Sequence, residues 1–101
     1  MFVHAVYFWL RTDLSDAERG RFAEWLATLC TIPSVRHGYV GVPAATDRPV
    51  IERSYSYALV LVLDDAAGEV AYQVHPLHER FKQECNGMWT QIRIFDSEPA
   101  R

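Results

Sequence analysis

The alternation of apolar and polar positions in the first part of the chain predicts a strand, a helix and a second strand. Phe2 to Leu10 is rich in valine and aromatic residues and lacks turn residues, which is typical of a strand. Ser15-Asp16-Ala17-Glu18 has the sequence of a capping box and predicts a helix start. Pro33 ends this helix, and Val35 to Val42 follows as a strand. The apolar face of the helix consists of Phe22, Trp25, Leu26, Leu29 and Cys30.

The second part of the chain repeats this order after a polar connection, Pro43 to Arg53. Tyr57 to Leu63 is predicted to be a strand, and Ala66 to about Gln83 has a helical pattern. Because a proline disfavours the α conformation in the residue before it, Pro76 divides that segment into two short helices. Met88 to Phe95 is the last predicted strand. The order β-α-β-β-α-β predicts an α+β fold, a four-stranded antiparallel sheet with helices on one face.

Both faces of the central strands are apolar. Tyr57 to Leu63 offers no register that would turn polar residues to solvent, and Ala5, Tyr7 and Trp9 of the first strand are as apolar as their neighbours. The helices of one subunit cover only one face of a sheet. An uncovered apolar face would form a large exposed patch, which monomers avoid. The pattern therefore predicts a two-fold homodimer that buries the second face.

Length and composition narrow the class of protein. A chain of 101 residues, 50% of them hydrophobic, is expected to form a single domain over residues 1–101. The net charge is −3 and the ten basic residues are scattered, so neither a nucleic-acid nor a membrane partner is expected. The first residues lack the basic region of a signal peptide. Cys30 and Cys85 fit no metal or redox spacing, which indicates two buried free thiols in a cytoplasmic protein.

The segment Tyr72-Gln73-Val74-His75-Pro76-Leu77-His78 carries most of the candidate chemistry. Because proline suits the first turn of a helix, His78 falls in the first turn of the second short helix. The positive end of that helix and partial burial both favour a neutral imidazole, which can accept a proton. His78 is therefore the predicted base, and Tyr72 the group that orients it or donates a proton.

Structural roles remain open for the same residues. Tyr72 and His78 could hydrogen-bond each other at the edge of the core, and His75 could cap its helix or lie in solvent. His4, in an apolar strand, could be a core histidine. The histidines are dispersed and form no dense ligand motif with a carboxylate, so neither a metal nor a cofactor is expected.

Several segments distributed over the chain together match the sequence pattern of a known family. They are Val3-His4-Ala5-Val6-Tyr7-Phe8, Ser54 to Val60, Tyr72-x-x-His75-Pro76-x-His78, Trp89 and Phe95-Asp96. Together they resemble the stress-responsive A/B barrel (Dabb) family over nearly the whole chain. The resemblance implies a ferredoxin-like βαββαβ subunit and a homodimer whose sheets join in a dimeric α+β barrel. Most of the family has no known activity, and its plant members are associated with stress responses.

A plant polyketide cyclase of this family works without metal or cofactor, and its catalytic tyrosine and histidine match Tyr72 and His78. Ala23 and Leu26 stand where it has a pocket phenylalanine and a pocket tyrosine, which changes pocket volume and polarity. The implied substrate pocket lies between the helices and the sheet. Its predicted lining residues are His4, Val6, Phe8, Phe22, Leu26, Phe81, Trp89 and Ile94.

Three functions are consistent with the sequence. The first is a cofactor-free enzyme of cyclase, isomerase or lyase type that moves a proton alpha to a carbonyl, with His4 holding a substrate oxygen. Its ligand would be a small carbonyl or aromatic compound. The second is a non-catalytic, stress-responsive dimer that binds a ligand or serves a structural role. The third is a monooxygenase-like dimeric barrel, for which the sequence has no cofactor motif.

Overall fold

The computed structural model describes residues 1–101 and contains four strands and three helices. In chain order they are β1 (Phe2–Leu10), α1 (Asp16–Leu29), β2 (Val35–Gly41), β3 (Tyr57–Leu63), α2 (Ala66–Gln73), α3 (Pro76–Cys85) and β4 (Trp89–Ser97). The predicted division of the last helical segment at Pro76 is confirmed. None of the helices has the length and apolar character that crossing a membrane requires.

The four strands form one antiparallel sheet in the order β2-β3-β1-β4. This is the ferredoxin-like α+β arrangement, in which each crossover helix returns the chain past an intervening strand. The register between β1 and β4 places His4 opposite Asp96 and Val6 opposite Ile94. That register brings a carboxylate at the end of the chain next to a histidine near its start.

Side-chain caps fix the first turns of α1 and α3. The Ser15 hydroxyl accepts a hydrogen bond from the Glu18 amide at 3.1 Å, and the Glu18 carboxylate accepts one from the Ser15 amide at 2.9 Å. The predicted capping box is therefore present. At the start of α3, His75 Nδ1 accepts a hydrogen bond from the Leu77 amide at 3.1 Å. His75 therefore caps α3, which is one of the two roles that the sequence left open for it.

The hydrophobic core lies between the helices and the inner face of the sheet. Alternate residues of β1 are buried, including Phe2, Val6, Phe8 and Leu10. They pack against buried residues of the helices, of β3 and of the turn after α1. These residues are Phe22, Leu26, Leu29, Ile32, Leu59, Leu61, Leu63, Tyr72, Phe81 and Cys85. Burial of this apolar surface is the main stabilising contribution to such a fold.

The two cysteines differ in their surroundings, and both are free thiols. Cys85 is buried as predicted, whereas Cys30 is only half-buried. Cys30 lies just beyond α1, where the chain turns towards β2. Gly38 passes so close to it that a Cβ at position 38 would overlap the Cys30 side chain. Gly38 therefore permits the chain just beyond α1 to approach β2 closely.

No helix covers the outer face of the sheet. Ala5, Tyr7 and Trp9 of β1 and Val60 and Val62 of β3 point to this face and are only partly buried, mainly by neighbouring strand residues. The exposed aromatic residues Tyr39 and Phe95 extend the same apolar surface. The chain by itself thus presents an apolar sheet face to solvent.

Candidate functional site

A cavity of about 130 Å³ lies between the inner face of the sheet and the junction of α2 and α3. We call it the helix-side cavity. Its polar lining groups are the side chains of His4, Tyr72, Gln73, His78 and Lys82. The rest of the wall is apolar and consists of Val6, Phe8, Leu29, Leu59, Phe81, Trp89, Ile92 and Ile94. Small-molecule sites commonly combine such apolar walls with a few convergent polar groups.

The cavity brings together most of the residues that the sequence analysis assigned to a site. They are His4, Val6, Phe8, Tyr72, His78, Phe81, Trp89 and Ile94. Phe22 and Leu26 do not line the cavity, because α1 buries both completely in the core. The Phe22 ring packs edge to face against Phe8, with 5.0 Å between centroids, and so supports the cavity wall from behind.

Tyr72 and His78 contact each other through their rings and not through a hydrogen bond. Their centroids are 4.9 Å apart and the rings meet edge to face at 74°. Tyr72 lies in the last turn of α2 and His78 in the first turn of α3. The sharp turn at Val74 and His75 lays the two rings across each other, so the hydrogen-bond contact expected from the sequence is absent. Both side chains keep their polar atoms for other partners.

His78 is held in an environment that favours its neutral form. Burial lowers the pKa of the imidazole below its ordinary value of 6.5, and the nearby Lys82 ammonium lowers it further, while Glu79 opposes the shift. Nδ1 is buried and has no hydrogen-bond partner. An unpaired buried polar atom costs stability, and such groups gather at functional sites. Near neutral pH, His78 can therefore accept a proton.

Tyr72 complements His78, because it can donate a hydrogen bond where His78 can accept a proton. Its side chain is almost fully buried, and burial raises the pKa of the phenol above its usual range, with the carboxylate of Glu69 acting in the same direction. The phenol therefore keeps its proton at physiological pH. Tyr72 can donate a hydrogen bond to an oxygen in the cavity, and it does not serve as a base.

His4 is oriented by a carboxylate that sequence analysis missed. Its Nδ1 lies 2.6 Å from an Asp96 carboxylate oxygen and 3.8 Å from a Glu69 oxygen, and the residue is 3% exposed. Glu69 in turn accepts a hydrogen bond from Gln73 at 2.9 Å. In a neutral ring whose Nδ1–H donates to Asp96, Nε2 is the acceptor. The expectation that the dispersed histidines lack a carboxylate partner is wrong for His4, because the β1–β4 register brings Asp96 to it from the other end of the chain.

His4, Glu69 and Asp96 are also the residues that could hold a cation. The ligand atoms of His4, Glu69 and Asp96 all lie within 4.8 Å of one another. A metal would have to replace the proton that His4 shares with Asp96, since a ligating nitrogen carries no hydrogen. The short contact between His4 and Asp96 is explained by that hydrogen bond alone.

The fold and the cavity define a class, the ferredoxin-like α+β proteins with a histidine- and tyrosine-lined cavity beneath the helices. The model of the stress responsive A/B barrel domain (Dabb) family matches residues 2–99, and the chain belongs to this family. The resemblance read from the sequence is thereby confirmed. A comparison with curated protein sequences finds no match.

Solved structures share the fold at low sequence identity. A Dabb family protein from Mesorhizobium loti has a TM-score of 0.76 and 22% identity, covering 99% of this chain and 97% of that one. A dimeric ferredoxin-like protein of unknown function from Thermobifida fusca has a TM-score of 0.76 and 22% identity, covering 95% and 88%. A hydroxynitrile lyase from Passiflora edulis has a TM-score of 0.77 and 18% identity, covering 95% and 90%.

Proposed function

We propose that this chain is a cofactor-free proton-transfer enzyme of cyclase, isomerase or lyase type that acts on a small carbonyl compound. The observation that carries the proposal is a neutral imidazole at His78, with an unpartnered Nδ1, beside a buried phenol in an apolar cavity. A positioned general base of this kind contributes about 10²–10⁴-fold to a reaction rate. The family match and the fold are consistent with catalysis.

The chemical state of each polar group suggests its role. His78 accepts a proton from the carbon alpha to the carbonyl, or from a substrate hydroxyl. Tyr72 retains its proton and donates a hydrogen bond to the oxygen on which negative charge develops. His4 is oriented by Asp96, and its neutral ring would present Nε2 as an acceptor, which suits a substrate hydroxyl or an enol better than a carbonyl oxygen.

The size of the cavity limits the substrate. Its volume of about 130 Å³ is close to that of a cavity which binds benzene, about 150 Å³. A substrate with a few heavy atoms or one ring fits, whereas a long polyketide chain does not. Lys82, whose ammonium also lies 3.0 Å from the Glu79 carboxylate, adds a positive charge to the cavity lining that a carboxylate substituent could approach. Small keto acids, ketones and hydroxynitriles are therefore the compounds to test, the last also because one solved relative is a hydroxynitrile lyase.

Proton transfer can be measured without knowledge of the natural substrate. The protein is incubated in D₂O with acetone, pyruvate or acetoacetate, and loss of the α-proton signal is followed by NMR. Cleavage of mandelonitrile is followed in parallel by the absorbance of benzaldehyde. Wild type should exceed buffer with at least one compound, and His78→Ala should lower the rate by about 10²-fold or more. The matched control is His37→Ala, because His37 is an exposed histidine of β2.

The outcomes separate the alternatives. Full activity of His78→Ala, or no reaction above buffer with any compound, would contradict the proposed enzyme. Binding of these compounds without exchange would instead support the non-catalytic ligand-binding dimer. An activity that requires added haem would support the monooxygenase-like alternative.

The proposal includes a homodimer in which two outer sheet faces meet and form an α+β barrel. It is supported by the apolar surface of β1 and β3 that no helix covers, and by dimeric proteins among the structures with this fold. Covering such a face removes apolar surface from water, at about 25 cal/mol per Å². The helix-side cavity lies on the opposite side of the sheet, so each subunit of the dimer would keep its own site.

A further inference from the structure

A second cavity, of about 480 Å³, lies on the outer face of the sheet. We call it the outer cavity. β1 contributes Ala5, Tyr7 and Trp9, β4 contributes Arg93 and Phe95, and the connection between β2 and β3 contributes Glu52 and Tyr55. In the single chain, its volume falls within the range of about 300–1,000 Å³ that small-molecule sites occupy.

The aromatic walls of the outer cavity are packed before any ligand binds. Tyr7 meets Tyr55 edge to face with 5.0 Å between ring centroids, and it meets Phe95 at 6.0 Å. Trp9 Nε1 donates a hydrogen bond to the Ser54 hydroxyl at 3.0 Å, which ties the connection to the sheet. Rings fixed in this way lose little freedom when a ligand enters, and this preorganisation favours binding.

Two opposite charges line the same cavity without pairing. The Glu52 carboxylate accepts hydrogen bonds from the Ser54 amide and hydroxyl, both at Oε2, so Oε1 is left without a partner. Arg93 takes part in none of the salt bridges of the molecule. Glu52 and Arg93 therefore do not neutralise each other by direct contact, although both face one aromatic-walled space.

We propose that the outer cavity binds a small zwitterion with an apolar body, such as an amino acid with an aromatic or aliphatic side chain. Arg93 would hold the ligand's carboxylate, for which a guanidinium is well suited. Glu52 Oε1 would accept a hydrogen bond from the ammonium group, which the faces of Tyr7 and Trp9 attract further. The aromatic walls would take the apolar body.

The proposed homodimer would close this cavity, because the outer face is the one that meets the partner's sheet. Exclusion of water strengthens the interactions of both charges with the ligand. The inference does not depend on catalysis in the helix-side cavity, which lies across the sheet. The other possible filling is a side chain of the second copy, and the experiment below distinguishes it from a ligand.

The probe is L-phenylalanine, added to the full-length protein and followed by isothermal titration calorimetry. One site per chain is expected. 3-Phenylpropanoate lacks the ammonium group and phenethylamine lacks the carboxylate, so each should bind at least about tenfold more weakly, as loss of one charge-assisted hydrogen bond requires.

Variants locate the site. Arg93→Gln and Glu52→Gln should each weaken phenylalanine binding at least about tenfold. Arg80→Gln is the matched control, since Arg80 lies on α3 over the Trp25 ring and far from the outer face. His78→Ala should also leave phenylalanine binding unchanged. Equal affinity in the Arg93 and Glu52 variants, loss of binding in His78→Ala, or no binding of phenylalanine by an intact dimer would overturn the inference.

Discussion

At the scale of single residues, the buried His78 side chain lowers the stability of the fold and is also able to accept a proton. Its Nδ1 is buried without a partner, and burial with the nearby Lys82 lowers the pKa of the imidazole. In the unfolded chain the same side chain titrates near 6.5. Just below that pH the unfolded chain therefore binds a proton that the folded chain does not, and stability is lost as the pH falls.

The first prediction concerns this pH dependence. The free energy of unfolding of wild type, measured with urea, should decrease between pH 7 and pH 5.5, and the decrease should be smaller in His78→Gln. A single proton limits the difference to about 1.4 kcal/mol per pH unit, and the partial exposure of His78 reduces it further. An identical pH dependence in the two proteins would show that the pKa of His78 is not lowered by folding.

Asp96 gives the second prediction, again at the residue scale. In Asp96→Asn the His4 ring loses the carboxylate that it hydrogen-bonds, although residue 96 keeps its shape and Glu69 remains 3.8 Å away. Carboxylates that orient histidines in metal sites are worth about 10–100-fold, and a similar loss of proton exchange is expected here. Glu24→Gln, an exposed carboxylate of α1, is the control. Tyr72→Phe should have a smaller effect than His78→Ala, because it removes one hydroxyl. Exchange at the wild-type rate in Asp96→Asn would exclude a role for the His4–Asp96 pair.

At the scale of elements, the junction between α2 and α3 holds the site together. His75 caps α3 through its Nδ1, and Pro76 occupies the first helical position. His75→Ala should lower the free energy of unfolding by about 1 kcal/mol, since loss of a helix cap typically costs that much. His75→Asn, which supplies another good cap, should restore most of it. Urea unfolding of the three proteins tests this, and equal stability of His75→Ala and wild type would mean that the cap contributes nothing.

The elements themselves could be predicted from the sequence because their signals are local. The capping box at Ser15 and the break at Pro76 act within one turn, and β3 is bounded by turn residues. The site was only partly predictable. Phe22 and Leu26 lie on the apolar face of α1, and periodicity does not say whether such a face meets a cavity or the core. Asp96 was missed because its contact with His4 depends on the β1–β4 register, which no local pattern determines.

At the scale of the whole molecule, the uncovered sheet face determines the expected assembly. Light scattering should find a dimer at micromolar concentration. Val60→Lys places a charge on the outer face of β3 and should give a monomer, because an unpaired charge is costly in an apolar interface. Val50→Lys is the matched control, since Val50 is 86% exposed in the connection between β2 and β3. A monomeric wild type, or a Val60→Lys variant that stays dimeric, would contradict the proposed sheet-to-sheet interface.

The pH dependence of proton exchange tests most directly the central claim that a neutral His78 removes the substrate proton. The rate of α-proton exchange is measured by NMR from pH 5 to pH 8 for wild type, His78→Ala and His37→Ala. In wild type and His37→Ala the rate should rise to a plateau through an inflection below pH 6.5, where His78 loses its proton. His78→Ala should be slower by about 10²-fold or more and should lack that inflection. The same inflection and the same rate in His78→Ala would contradict the account.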